Sequence, residues 1–190
     1  MAGDLGGGGA EVHEAAAVLA FWFDELEPEQ HWAKDPALDA RISVRFRTLG
    51  DRLLSTGAAG WRDRPETLLA AVIVLDQFSR NIFRGHLKAF QGDRLALELA
   101  GHGLRLSWDV TLPPERRVFL YMPFEHSEDP AMQAVSLRLF KGVGDEKMVD
   151  YARQHARVIA DFGRFPGRNA ALGRESTAAE RVYLAEGGGF

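Results

Sequence analysis

Three polar clusters in this chain stand inside apolar or aromatic sequence and carry side chains that could do chemistry. They are residues 75–81 (LDQFSRN), 123–128 (PFEHSE) and 162–169 (FGRFPGRN). Charged and amide groups are costly to bury unless they are paired. The clusters therefore form either an internal structural network or the lining of a pocket. They predict a site without naming its reaction, and they leave open whether the protein is an enzyme.

The first cluster places Asp76, Arg80 and Arg84 four residues apart, so that they share one face of a helix. Gln77 follows Asp76 and Asn81 follows Arg80, so the two amides form a second polar row beside the first on that helix. The functional interpretation is a set of groups that bind a ligand. The structural alternative is a buried ion pair that fixes the register of the helix.

The second cluster contains His126, the best candidate for proton transfer, and Glu128, which we expect to orient it. Ser127 is adjacent to His126, so its hydroxyl is not placed as the nucleophile of a Ser-His-acid triad. Ser127 or Asp129 is better explained as a cap of the following helix. His126, Glu128 and His155 are ligand types for a two-His, one-carboxylate metal site, but their spacing matches no metal motif. We predict no metal and no cofactor.

The third cluster is a loop in which Gly163 and Gly167 permit tight turns and Pro166 stiffens the backbone, and it presents Arg164 and Arg168. Arginines held on a rigid loop could form an anion cradle. Alternatively, they hold the loop against carboxylates and helix carbonyls. The predicted ligand-binding residues of all clusters are Asp76, Arg80, Asn81, Arg84, His155, Arg164, Arg168, Asn169 and Arg174.

Composition limits the classes of function. The chain has 190 residues, is 46% hydrophobic and carries a net charge of −4, which does not favour nucleic acid or anionic membranes as partners. The absence of cysteine excludes disulfides and thiol chemistry. No apolar run is long enough to span a bilayer, and the N-terminus lacks the pattern of a signal peptide. We therefore expect a cytoplasmic protein.

Apolar residues recur at spacings of three and four almost throughout, as in Val12, Ala16, Leu19, Phe23 and Leu26 and in Leu38, Ile42, Phe46, Leu49 and Leu53. This pattern predicts about eight helices in antiparallel pairs, an all-α array. The sequence predicts a disordered Gly-rich segment over residues 1–10, one helical domain over 11–186 and a Gly-rich tail over 187–190. Expected helix starts are Asp35-Pro36, Pro65, Asp93, Pro113-Pro114, Asp129-Pro130, Asp145 and Thr177, with a bend or end near Pro123.

The chain resembles the DUF924 family of uncharacterised bacterial and eukaryotic proteins from about Val18 to Leu184. The resemblance implies a TPR-like all-helical fold and assigns no activity. It rests on residues 21–23, Trp32 with 34–35, 75–85, 89–90, Asp93, 121–128, 162–169, 172–174 and 176–177, which occur in the family order.

Three positions depart from the family pattern. Ser79 stands where the family usually has proline, Glu125 replaces a Met-like residue, and Gly167 replaces a histidine. The missing imidazole at position 167 weakens the case for acid–base catalysis here.

Two functions of different kinds follow from these patterns. In the first, Arg80, Arg164 and Arg168 clamp a small anionic metabolite, a phosphate or a carboxylate, beside His126. In the second, the protein is a TPR-like adaptor that binds a protein or peptide, and its polar clusters are structural. Convergence of the arginines and His126 on one concavity would favour the first.

Overall fold

Eight helices joined by short turns make up residues 7–189, the part of the chain that the computed structural model describes; this part contains no strand. The prediction of an all-α fold is confirmed, whereas the TPR-like arrangement stays a prediction. The helices are α1 Gly7–Phe23, α2 Pro36–Thr56, α3 (Pro65–Val72, Ile73–Phe78 and Ser79–Ile82), α4 Asp93–Arg105, α5 Pro114–Glu125, α6 Pro130–Val143, α7 Glu146–Phe162 and α8 Ala178–Ala185. Short 3₁₀ turns cover Pro28–Trp32, Leu87–Phe90, Asp109–Thr111 and Pro166–Arg168.

Helix starts follow the capping signals of the sequence. Asp35, Asp129 and Asp145 each accept a backbone N–H of the first turn, and Thr177 forms a capping box with Glu180. A proline opens α2, α3, α5 and α6, where its missing N–H costs no hydrogen bond.

The start of the chain differs from its prediction. Helix α1 begins at Gly7, so residues 7–10 are helical and not disordered, while residues 1–6 lie outside the described residues. Val12 and Ala16, predicted on the apolar face of α1, are exposed, whereas Leu19 of the same stripe is buried, as are Val18 and Trp22. The most buried positions lie one residue before the predicted ones, and one residue turns the helix by about 100°.

Helix α3 is the centre of the fold, as its nearly continuous apolar sequence predicts. Every residue from 67 to 78 is buried, and α3 packs against α1, α2, α4 and α5. Helices α5, α6 and α7 then pack in sequence. Helix α5 ends at Glu125, two residues beyond Pro123, which agrees with the predicted end near this proline.

The C-terminal part of the chain closes over the end of α7. Gly163 ends this helix in the left-handed conformation, with φ 71°. The loop that follows inserts Phe165, which is fully buried against Val158 and Ile159, and Tyr183 of α8 packs on the same small cluster. This arrangement brings the third polar cluster back to the end of α5, where the second lies.

None of the described helices is both long and apolar enough to cross a membrane.

Candidate functional site

Asp76 is the deepest polar residue of the site, with 0% of its surface exposed. It lies in the π-helical middle of α3, where the N–H of Ser79 reaches Val74 O, five residues back. Such π segments are frequent at functional sites, because the wider turn displaces side chains from the regular helix. Gly92 makes this geometry possible: a Cβ at that position would lie 2.5 Å from Leu75 O.

His126 contacts both carboxylate oxygens of Asp76, with Nδ1 at 2.8 and 2.9 Å. A carboxylate accepts hydrogen bonds, so Nδ1 carries the proton and neutral His126 keeps Nε2 as its basic atom. The amide of Gln77 donates to Asp76 Oδ2 at 2.6 Å. This pairing corrects the expectation that Glu128 orients His126, because Asp76 does so.

Burial would raise the pKa of Asp76, but Arg80, His126 and Gln77 outweigh it and hold the pKa below its usual value. Burial lowers the pKa of His126 and Arg80 lowers it further, although Asp76 opposes them. At neutral pH the pair is therefore a carboxylate beside a neutral imidazole.

Asp93 joins the first and third clusters. Arg80 donates to its two carboxylate oxygens at 3.0 and 3.1 Å, and Arg168 donates to Oδ2 at 3.2 Å. Arg80 also donates to Asp76 O at 2.6 Å. The sequence predicts a helix start at Asp93 and does not indicate that its carboxylate joins two arginines, since an acidic residue in a first turn usually serves the helix dipole.

Arg168 connects the third cluster with the second. Its guanidinium donates to His126 O at 2.9 Å and lies between two rings, 4.5 Å from the centroid of Phe165 and 5.0 Å from that of Phe90. Burial lowers the pKa of Arg168 to about 10, and the positive charge of Arg80 acts in the same direction. Asp93, Glu128 and Asp76 oppose this lowering only in part.

A cavity of about 300 Å³ opens over these groups, and we refer to it as the arginine cavity. Phe90 and Phe165 form its apolar walls together with small residues of the loops. Its polar lining consists of Arg80, Arg84, His126, His155 and Arg168. The convergence of Arg80, His126 and Arg168 agrees with the single-site hypothesis.

Arg164 does not reach the arginine cavity. It binds both carboxylate oxygens of Glu180 in α8, at 2.6 and 2.8 Å, and Asn169 donates to the same carboxylate and to Ser176. The pKa of Glu180 is lowered to about 2, mainly because Arg164 donates to it. The expected clamp of three arginines is therefore wrong for Arg164, and Asn169 belongs to the same structural network.

Glu128 and Arg174 form another structural pair. Arg174 binds the two carboxylate oxygens of Glu128 at 2.8 and 2.9 Å, and Glu128 also accepts the N–H of Phe165 at 2.8 Å. The pair fixes the loop that carries Phe165 onto the end of α5. The structure thus places both residues in the support of the site rather than in its wall.

Asn81 and Arg84 share Asp39 of α2. Asn81 donates to Asp39 Oδ1 at 2.7 Å, and Arg84 donates to both oxygens at 2.8 and 2.9 Å. Arg84 nevertheless lines the arginine cavity, whereas Asn81 does not.

His155 and Glu125 form a second buried pair beside His126. His155 Nδ1 donates to Tyr151 O at 2.9 Å and lies 3.2 Å from Glu125 Oε1. Burial, followed by repulsion from His126, lowers the pKa of His155 to about 3. Burial and the charge of Asp76 raise the pKa of Glu125 to about 8. The sequence showed Glu125 only as a departure from the family pattern.

A second cavity, of about 390 Å³, shares His126 and His155 with the first, and we refer to it as the tryptophan cavity. Its remaining lining residues are Trp32, Met122, Glu125, Lys147, Met148 and Tyr151. No group of three or more residues suited to holding a metal ion occurs in the part of the chain that the structure describes.

Comparisons with known proteins place the chain among relatives whose activity is also unknown. A family model described as "Bacterial protein of unknown function (DUF924)" matches residues 18–188. A solved structure of ATU0120, a protein of unknown function from Agrobacterium tumefaciens, has 36% sequence identity and a TM-score of 0.87. The similarity covers 92% of this chain and 98% of that one. No curated protein matches the sequence.

Proposed function

Because the chain belongs to the DUF924 family, whose description names no activity, we propose a function from the geometry of the site alone. The arginine cavity binds a small anionic molecule, a phosphate or a carboxylate metabolite, next to a histidine that can transfer a proton.

The charge of the cavity wall carries this proposal. Three guanidinium groups, those of Arg80, Arg84 and Arg168, line the arginine cavity, and its described lining residues include no carboxylate. Asp76 and Asp93 lie behind this wall and hold Arg80 and Arg168 in place, and Asp39 holds Arg84. Groups fixed in this way bind an anion with little further loss of conformational entropy.

The low pKa of Arg168 supports the same conclusion. Asp93 is shared between two arginines, and Arg80 also pairs with Asp76, so Arg168 is the less fully compensated of the two. A bound anion would supply the missing negative charge, and charge-assisted hydrogen bonds to guanidinium are among the stronger ones.

His126 is the candidate for proton transfer at the bound anion. Asp76 holds the proton on Nδ1 and leaves Nε2 as the acceptor, the arrangement that orients a general base. Its lowered pKa keeps the imidazole neutral and able to accept a proton at neutral pH.

Binding is tested first with inorganic phosphate, acetate, succinate and citrate, by thermal shift and calorimetry. A ligand of the native state raises the melting temperature by mass action, and added salt should weaken the effect. Arg84→Gln is the mildest change, because 42% of its side chain is exposed. We expect it to weaken anion binding by about three- to tenfold, that is by ~0.7–1.4 kcal/mol.

Two further variants complete this experiment. Arg168→Gln should abolish the anion effect. Arg157→Gln removes an arginine whose side chain is 84% exposed and which, among the described residues, pairs only with Asp161, so anion binding should not change. If the wild-type protein binds none of these anions and Arg168→Gln fails to fold, the arginines are structural. The adaptor function would then replace the proposal.

Proton transfer has a separate test. A bound anion near the imidazole should raise the pKa of His126, which an NMR titration of the histidine ring signals follows. Anion binding without any change in this titration would leave a binding protein without a proton-transfer role for His126.

A further inference from the structure

Glu125 is a buried carboxyl group without a matching charge, and it lines the tryptophan cavity. Its surface is 3% exposed, and Oε1 makes no hydrogen bond. Burying such a group is unfavourable unless a partner compensates it. The residues around Glu125 show which partner is missing.

The groups that face Glu125 do not compensate it. The nearest is His155 Nδ1 at 3.2 Å, but this nitrogen donates to Tyr151 O, and the low pKa of His155 keeps the ring neutral. His126, its neighbour in the chain, is also neutral, and Asp76 adds a second negative charge nearby. Lys147 lines the same cavity and forms no ion pair among the described residues.

The other walls of the cavity suit a cation with an apolar body. Trp32 is 50% exposed and stacks on Phe119, with ring centroids 5.9 Å apart, and Tyr151 is 41% exposed. The faces of such rings attract ammonium groups. Met122 and Met148 supply polarizable, adaptable surface between them.

We propose that the tryptophan cavity binds an organic ammonium group carried on an aromatic or branched apolar body. The carboxylate of Glu125 is its counter-ion, and Trp32 and Tyr151 form the walls that contact the body. This site is distinct from the anion site proposed above and does not depend on it.

Binding has a definite proton balance. At neutral pH the raised pKa leaves Glu125 mostly protonated. The entering ammonium keeps its own protons, and the carboxyl group ionises and releases one proton to solvent. The negative charge of Asp76 favours binding of the cation. Three positive charges oppose it, those of Arg80 and Arg168 in the arginine cavity and of Lys147 at the wall of the tryptophan cavity. An uncharged ligand would release no proton.

The probe is 2-phenylethylamine, and 2-phenylethanol is its uncharged control of the same shape. Calorimetry measures affinity, and a pH indicator in weakly buffered solution counts the protons released. We expect the amine to bind at least about tenfold more tightly than the alcohol. Nearly one proton should be released per amine bound, and none per alcohol.

Glu125→Gln keeps the shape and removes the charge, so it should weaken amine binding by about tenfold or more and abolish proton release. Glu66→Gln, an exposed control, should change neither. If Glu125→Gln does not fold, Trp32→Leu tests the aromatic wall and should lower the affinity for the amine by at least about threefold. Equal binding of amine and alcohol, unchanged binding in these variants, or no amine binding at millimolar concentration would overturn the proposal.

Discussion

The Nδ1 atom of His126 lies 2.8 Å from Asp76 Oδ1, although fifty residues separate the two in the chain. The contact joins the middle of the central helix α3 to the last turn of α5. It settles the tautomer of the histidine and supplies the buried carboxylate with a partner. The same contact thus pairs a buried charge and supports the proposed proton transfer, because a buried charge must be paired wherever it lies.

Asp76→Ala should lower the free energy of unfolding by about 3–5 kcal/mol, because it removes the acceptor of the buried His126 and leaves Arg80 with Asp93, which Arg168 also shares, as its one close carboxylate among the described residues. Asp39→Ala is the control. Asp39 also pairs with an arginine, Arg84, but that guanidinium is 42% exposed, so we expect a loss of about 1 kcal/mol or less from this pair. Urea denaturation of both variants checks this difference. Equal losses of unfolding free energy in the two variants would show that burial of the ion pair does not determine the cost of breaking it.

Glu125 should make the protein less stable as the pH rises. Its pKa is raised from 4.5 to about 8 in the folded protein, so between these values the folded state holds a proton that the unfolded state has lost. Stability from this group is complete below pH 4.5 and declines up to about pH 8, by at most about 1.4 kcal/mol per pH unit.

Glu125→Gln removes this titration, so its stability relative to the wild-type protein should increase steadily from pH 5 to pH 8. Denaturant unfolding at several pH values measures the difference. The variant Glu66→Gln should show no such trend, because Glu66 is exposed. A constant difference between Glu125→Gln and the wild-type protein would mean that Glu125 is ionised in the folded state.

Sequence patterns predicted the helices well where caps and apolar spacing agree. Leu38, Ile42, Phe46, Leu49 and Leu53 were predicted as one stripe, and all five are buried in α2. Helix α1 was less clear, because its alanines are compatible with either face and do not define a single stripe.

The site could be predicted only in part. Clusters of polar residues in apolar sequence indicated Asp76, Arg80, His126 and Arg168, which the structure brings together. Which acid pairs with which base depends on contacts between distant helices, and sequence spacing does not contain this information. Asp93, which the sequence indicated only as a helix start, therefore binds Arg80 in the site, whereas Glu128 binds Arg174 and supports the loop. Arg164 binds Glu180 of α8 and does not line the arginine cavity.

Gly92 should be intolerant of any side chain. A Cβ there would lie 2.5 Å from Leu75 O, a backbone atom of the π segment, so either this segment or the start of α4 must move. We expect Gly92→Ala to cost about 1–3 kcal/mol and to disturb the contact between Asp76 and His126. Gly142→Ala is the control. Gly142 lies in α6, and a Cβ at this position would have no other atom within 4 Å. The higher helix propensity of alanine should therefore stabilise the protein by up to ~1 kcal/mol. Thermal unfolding separates the two, and equal effects would contradict this explanation.

Arg164 should hold α8 in place without contributing to the arginine cavity. It donates to both oxygens of Glu180 and to Glu175 O, so Arg164→Ala leaves a carboxylate on α8 without its main partner. Hydrogen exchange of the amides in Ala178–Ala185 should become faster, while phosphate binding stays unchanged. Acid should have the same effect on the wild-type protein: the depressed pKa of Glu180 means that its stabilisation is present above pH 4.5 and is lost as the pH falls towards about 2.

Arg168→Gln provides the opposite pattern and serves as the control. It should lose phosphate binding while the amides of α8 keep their protection, because the side-chain hydrogen bonds of Arg168 go to Asp93 and His126 O. If Arg164→Ala instead lost phosphate binding with α8 still protected, Arg164 would have to reach the anion in solution. The separation of the two arginines into a binding role and a structural role would then be wrong.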